Sequence, residues 1–251
     1  MNRGVLLFSH SNGLYDYGKL AIECARRVKK YLEVPITIVT SDELPTGDYS
    51  VVHVEKPRSG NIRSFTNYHQ ADFLNGDRYS AYELSPYDKT LLIDVDYLLM
   101  TSDLSRVWEQ EGFKIATNAT TIHGQSINVA YDIVQVWATT ILFDKSDLSQ
   151  RAFSLAKHVY LNWNFYAPFY GIPLTPIRND FVFAIMIKLL ERVYPGVETD
   201  LGVTLVTAGK NLNLIELTDQ TARFEKYEST LITSDVHVIN KESLYDHLCS
   251  R

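Results

Sequence analysis

KTLLIDVDYLLM, residues 89–100, is the stretch whose reading decides the fold. Leu91, Leu92, Ile93 and Val95 bracket Asp94, Asp96 follows two places later, and residues 97–100 resume the apolar run. A short apolar run that ends in acids reads as a buried strand whose C-terminal end opens at a ligand crevice. If the strand breaks at Val95, Asp94 and Asp96 turn towards one hard cation with oxygen-rich coordination. Ionised carboxylates are not left unpaired among apolar neighbours, so a metal or a strong hydrogen-bond set is implied. The plain alternative is a strand end carrying two solvated acids.

The wider segment 80–100, SAYELSPYDKTLLIDVDYLLM, resembles the core of the GT-A glycosyltransferases. The likeness is strongest to the family-8 group that includes glycogenin and the bacterial galactosyltransferases. It consists of an aromatic-containing helix, a Pro-containing turn, a Lys-led Leu-Leu strand and then Asp-x-Asp, close over these residues and loose over the remainder. The resemblance implies a nucleotide-diphosphate sugar as donor, a UDP-sugar in the first instance. It also implies a divalent ion, Mn2+ or Mg2+, bridging Asp94 and Asp96 to the diphosphate, with the whole Asp94-Val95-Asp96 triplet given to the donor.

Around that centre the chain alternates strand and helix. GVLLFS at 4–9 reads as a first buried strand, and Leu20, Cys24, Val28 and Leu32 recur at helical spacing over 17–32. Ile36–Thr40 and 51–54 follow as further strands. Strand, helix, strand with short connections predicts a parallel sheet with right-handed crossovers, hence an α/β layered fold. With the resemblance added, the expectation is a Rossmann-like three-layer GT-A domain spanning 1–251, with a nucleotide-binding half over 1–100 and a sugar and acceptor half over 101–251.

In such sheets ligands sit beyond the C-terminal strand ends. Ser9, His10, Ser11 and Asn12 occupy that place after the first strand, where the resembling family holds base and ribose; an ordinary polar turn is the alternative. The segment 56–79 is irregular and mixes Lys56, Arg58, Arg63 and Arg78 with Phe65, Tyr68, Phe73 and Tyr79. Arginine forks onto two phosphate oxygens at once, and by the resemblance Arg78 is the donor's basic residue. A solvated basic surface is the alternative, as is stacking on single-stranded nucleic acid, which the acids of the same stretch disfavour.

Beyond the metal strand, 102–110 reads as a short helix, 113–116 as a strand, 117–121 as a polar loop and 134–143 as a sheet element. The resembling proteins carry an Asn-Ser-Gly-type turn near the donor sugar. Here Trp137-Ala138-Thr139-Thr140 stands instead, with Thr139 or Thr140 as hydroxyl donors. Residues 147–160 form an amphipathic packing helix. The aromatic and proline-rich stretch 162–176 reads as a loop, either an acceptor platform or plain packing. Arg178-Asn179-Asp180 opens a helix over 181–193; Asn179 or Asp180 suits its N-cap, and the resemblance places Asp180 at the sugar undergoing transfer.

Near the C-terminus, 203–207 and 213–217 read as a hairpin or paired strands. In SDVHVINK, 234–241, the resemblance makes His237 the third metal ligand, with Lys241 neutralising charge on the departing diphosphate. The family's Gly, Pro and Trp of that run are missing, and a lone His in a β-like run is otherwise a structural residue. His247 reads as tail.

Composition bounds the alternatives. The chain has 251 residues, 45% hydrophobic, with a net charge of −6. That supports one sizeable core and no bulk attraction to nucleic acid or anionic membrane. No apolar run approaches the roughly 20 residues of a membrane span. Cys24 and Cys249 lie far apart, which fits reduced thiols in a cytoplasm. No Ser-His-Asp grouping, Walker-type loop or zinc spacing occurs.

The expected activity is transfer of a sugar to an acceptor hydroxyl, the acceptor being open among a saccharide, a protein, a lipid-linked sugar and a hydroxylated DNA base. The rivals are a nucleotidyltransferase of the related α/β class, disfavoured by the isolated Gly13 and Gly18 where a Gly-rich phosphate loop belongs, and an inactive sugar- or nucleotide-binding module.

Overall fold

A computed structural model describes residues 2–57, 60–64, 70–74, 76–127, 131 and 133–250; Arg58, Phe65 and Tyr68, named above, lie outside the described residues. The chain begins β1 (Arg3–Ser9), α1 (Tyr17–Leu32), β2 (Ile36–Thr40), β3 (Ser50–His53), β4 (Ile62–Ser64) and β5 (Gln70–Asp72). A 3₁₀ turn (Gly76–Ser80), α2 (Ala81–Leu84), β6 (Lys89–Ile93) and β7 (Tyr97–Leu98) follow. A second 3₁₀ segment (Asp103–Glu109) leads to β8 (Lys114–Ala116), β9 (Asn118–Thr121), β10 (Trp137–Asp144), α3 (Asp147–Leu161), α4 (Trp163–Phe169) and α5 (Asn179–Val193). The last part comprises β11 (Thr204–Ala208), β12 (Asn213–Leu217), β13 (Ala222–Glu225), β14 (Ser229–Ile232), β15 (Val236–Val238) and α6 (Lys241–Cys249).

The central sheet has the order β3-β2-β1-β6-β10-β8. Its first four strands are parallel, and β10 runs antiparallel to both β6 and β8. The expected α/β fold with a mostly parallel central sheet is therefore present. Its strands are apolar on both faces because both faces are covered. Val5, Leu7, Leu91 and Ile93 pack with Leu20, Cys24 and Val28 of α1. Leu6, Phe8, Leu92 and Phe143 pack with Phe153 of α3 and Phe183 of α5. Each fully buried large side chain of this kind contributes about 1.5–3 kcal/mol relative to exposure.

A smaller sheet, β7-β15-β11-β9, joins the α1 side of the core. The strand that carries the acids does break as expected: β6 stops at Ile93, and β7 begins at Tyr97 in the other sheet. Asp94, Val95 and Asp96 are the connection between the two sheets.

Several elements differ from the sequence-based reading. Residues 118–121 are not a loop but strand β9, held in parallel register by β11. The segments 203–207 and 213–217 do not pair: β11 lies in the small sheet, while β12 joins β13 and β14 in an antiparallel sheet of its own. Within 162–176 a short helix, α4, forms because Trp163 and Ala167, one turn apart, are both buried. The irregular 56–79 stretch holds the β4–β5 hairpin and the 3₁₀ turn carrying Arg78. His247 lies in the last turn of α6 rather than in a tail. Cys24 is buried and Cys249 exposed, both as free thiols. Among the described residues no helix is long and apolar enough to cross a membrane.

Candidate active site

Parallel strands β1, β2 and β6 end at one edge of the sheet, and a cleft of about 960 Å³, counted out to open solvent, lies beyond it. The bend at its floor is fixed by main-chain bonds. The Asp94 N–H donates to the Thr139 carbonyl (2.9 Å), and the Tyr97 N–H closes a turn on the Asp94 carbonyl (3.0 Å). The Val238 N–H donates to the Asp96 carbonyl (2.9 Å), and register sets His237 opposite Tyr97. Strand pairing across the whole chain thus carries the imidazole to the acids. His237 Nε2 stands 3.5 Å from Asp96 Oδ2 and 4.0 Å from Asp94 Oδ2. One ligand atom from each of Asp94, Asp96 and His237 falls within 4.8 Å of the others.

These residues fit a divalent cation. Two carboxylates and one imidazole supply hard oxygen and borderline nitrogen donors without a thiolate. Burial lowers the pKa of His237 despite the neighbouring Asp94, so the ring is the neutral, ligating form near pH 7. Burial opposes the charge on Asp94, but the Arg78 guanidinium above all, with Lys241 beyond it, outweighs burial and holds the carboxyl below the usual range.

Cations surround the acids. Arg78, 6% exposed, donates to the Ala138 carbonyl (2.6 Å) and to the Asp94 carboxylate. Lys241, the first residue of α6, donates to Asp96, which is itself only 2% exposed. Burial, reinforced by Arg63, pushes the Lys241 ammonium down to about 7. Asp94 opposes that shift. Asp180 accepts from the Ala138 N–H (3.0 Å) and from Arg178 (2.5 Å), so the start of α5 is tied to β10 across the cleft.

Most of the residues named from sequence meet in this cleft: His10, Asn12, Arg78, Asp94, Val95, Asp96, Thr139, Asp180, His237 and Lys241 all line it. Ser9 does not. It is the last residue of β1, fully buried, and its hydroxyl makes no hydrogen bond among the described residues. Thr140 points into the sheet, buried and likewise unbonded. His10 and Asn12 reach the cleft with their polar atoms engaged. His10 Nε2 bonds Asp77 (2.7 Å), and its Nδ1 accepts from the Ser41 N–H (3.2 Å). Asn12 accepts from the Leu14 and Tyr15 N–H groups and donates to the Asp72 carbonyl. The His10–Asp77 bond locks the 3₁₀ turn that carries Arg78, a positioning task. Neither Asn179 nor Asp180 caps α5: Arg178 holds the N-cap position without a side-chain capping bond, and the Asp180 carboxylate accepts from the Ala138 N–H and Arg178 instead.

Other lining residues were missed as site residues: Tyr17, Arg63, Trp137 and Arg178. Arg63 lies over the Phe73 ring at 5.0 Å. The buried Trp137 indole N–H has no partner among the described residues. Arg178 sits two places before Asp180, and a basic residue beside a candidate site acid was a usable signal. Arg63 and Trp137 carried none that separated them from their neighbours.

No protein-family model matches this chain, and no curated protein matches it. Solved structures do resemble it. The galactosyltransferase LgtC, in complex with donor and acceptor sugar analogs, aligns with a TM-score of 0.43 at 10% identity over 64% of each chain. An active-site mutant of LgtC gives 0.49 at 9% identity over 94% of this chain and 86% of that one. The glycosyltransferase GlyE of Streptococcus pneumoniae gives 0.42 at 13% identity, over 80% of this chain and only 45% of that one. A putative glucose-1-phosphate thymidylyltransferase of Bacillus anthracis, in complex with a sucrose, gives 0.44 at 12% identity, over 81% and 87%. The match thus spans less than two thirds of the first LgtC chain and less than half of GlyE. No likeness among these reaches a TM-score of 0.5 or 25% identity, so none of them carries a functional statement for this chain.

Proposed function

We propose that this protein is a metal-dependent glycosyltransferase of GT-A type, a single catalytic domain that moves a sugar from a nucleotide-diphosphate donor to an acceptor hydroxyl. One observation carries the reading: Asp94, Asp96 and His237 converge at the C-terminal edge of a mostly parallel sheet, ringed by Arg78, Lys241, Arg63 and Arg178. Paired acids with an imidazole suit a cation, and basic groups close by suit the phosphates that a cation bridges.

Asp94, Asp96 and His237 would hold the ion, with Mn2+ the expected species and Mg2+ the alternative. Once bound, it supplies Lewis-acid stabilisation of the leaving diphosphate. The chain's own groups do the rest. Arg78 and Lys241, paired here with Asp94 and Asp96, would be free to meet phosphate oxygens once an ion took those acids. Asp180, fixed by Ala138 and Arg178, accepts from a sugar hydroxyl at the donor's far end. Trp137 and Thr139 line the same cleft. The cleft is open to solvent, so a donor would lie in it partly exposed.

The test is release of nucleoside diphosphate from a panel of UDP-sugars, with Mn2+ and with chelator, by wild type and by Asp94→Ala and Asp96→Ala. Metal-dependent release that either substitution abolishes, with the melting point retained, supports the reading. Pyrophosphate release from a nucleoside triphosphate and a sugar phosphate would replace it with nucleotidyl transfer. Donor binding without turnover under every condition would leave a binding module.

A further inference from the structure

On the far side of the segment that leads to Arg178, a row of large apolar side chains faces water. Leu161 is 64% exposed, Phe165 69%, Phe169 73% and Leu174 47%. The first three recur every four residues, so they follow one another along the α3–α4 path. Their exposure does not come from a poorly packed segment. The inner face of α4 is fully used, with Trp163 at 3% and Ala167 at 0%. The Trp163 indole donates to the Leu174 carbonyl (2.8 Å), and the Ile172 N–H to the Ala167 carbonyl (2.8 Å), which folds the following loop back onto the helix. Phe165 and Phe169 each meet a tyrosine edge-to-face, Tyr166 and Tyr170, at 5.1 Å. The row is thus built and held in place before anything covers it.

Charge identifies what covers it. The chain carries 30 acids among 251 residues, yet none occurs from position 148 to 179, the longest acid-free run in the sequence. Arg151 and Lys157, both exposed, fall in the same run. A protein of net charge −6 has therefore kept one segment free of negative charge, and that segment bears the exposed aromatic row. Exposed apolar groups along one helical path, with tyrosines beside them and exposed basic residues on α3, match the interfacial zone of a bilayer. An acidic protein meets an anionic surface only through such a locally basic face.

We propose that this row is a membrane-docking surface: Leu161, Phe165, Phe169 and Leu174 enter the interfacial zone of an anionic lipid bilayer, with Arg151 and Lys157 at head-group level. Docking is peripheral, since no described helix can span a membrane. It does not depend on the transferase reading. Where that reading holds, the same segment carries Arg178 and Asp180 to the cleft, which favours the lipid-linked sugar among the possible acceptors.

The experiment is co-sedimentation of the full chain with phosphatidylcholine vesicles, with and without phosphatidylglycerol. Expected are binding to the anionic vesicles, weakening with added salt, and a fall of at least about tenfold in the partition coefficient for the Phe165→Ser/Phe169→Ser pair at an unchanged melting point. Arg151→Gln/Lys157→Gln weakens the anionic preference alone. If the Phe pair fails to fold, Phe169→Trp serves: its emission shifts to the blue on anionic vesicles and not on neutral ones. Equal affinity for both vesicle types, or binding indifferent to the Phe pair, overturns the proposal. So does a solution dimer that the Phe pair converts to monomer without any vesicle binding, which makes the row a contact between copies.

Discussion

Replacing Lys241 with Met separates the two jobs that its ammonium performs. Lys241 is the cationic partner of Asp96, which is 2% exposed and among the described residues has only the neutral His237 ring besides, at 3.5 Å. Removing one member of a buried ion pair costs about 3–5 kcal/mol, because the other charge stays buried. For a chain of this size 1 kcal/mol corresponds to about 2–4 °C, so the variant in chelator should melt about 6–20 °C below wild type. The same substitution frees a metal ligand. An ion at one hundred times its dissociation constant adds about 2.7 kcal/mol, or about 5–11 °C. Wild type must first part Lys241 from Asp96, so the variant should gain more from Mn2+ and at lower concentration. Donor turnover should nonetheless drop by about 10²–10³, the loss expected when a charge-stabilising group is removed. The assay is a thermal melt titrated with Mn2+ in the absence of nucleotide, beside a turnover measurement. An Mn2+ response identical in the two proteins, or absent from both, would refute the assignment of Asp96 as a ligand that Lys241 occupies.

Three further outcomes are expected. Burial holds the His237 pKa below 6.5, so between that lowered value and 6.5 the unfolded chain binds a proton that the folded chain does not. Stability therefore rises with pH through that window and is lost on acidification, and His237→Gln should flatten this part of a melting-point profile; an unchanged slope contradicts it. Arg27 is fully buried and donates to Glu23 and to the carbonyls of Leu99, Thr218 and Asp219, so Arg27→Met should cost about 3–5 kcal/mol in urea unfolding. A loss below about 1 kcal/mol would show that water replaces those bonds. Asp180→Asn keeps the shape but weakens the hold on Arg178 and Ala138; turnover should fall by about tenfold or more with little change in metal affinity, and full activity would remove Asp180 from the site.

The parts of this fold legible from sequence are those whose cause is local. An apolar run ending in acids marked β6 and its bend, 3.6-residue spacing marked α1 and α3, and an apolar stretch nearly all round after Arg178-Asn179-Asp180 marked α5, because burial on a covered sheet imposes those patterns directly. The small sheet was not legible for the opposite reason. β7 has two residues and β15 three, too short for any periodicity, and they exist because Tyr97 meets His237 across 140 positions. That one pairing also decides the chemistry. His237 in isolation reads as a structural residue, and only the register places its ring at Asp94 and Asp96. Likewise His10 was legible as a residue of the ligand edge, but its two nitrogens are taken by Asp77 and Ser41, partners 67 and 31 positions away. Pro168 argued for a loop, yet the burial of Trp163 and Ala167 outweighs its missing N–H in the last turn of so short a helix. Residue type announces which groups can do chemistry, whereas long-range register decides which of them share a cleft. Asp94 and Asp96 were identifiable because they carry both kinds of information within three residues. Arg63, Trp137 and Arg178 carry only the first, and their membership in the site depends on contacts that no local pattern encodes.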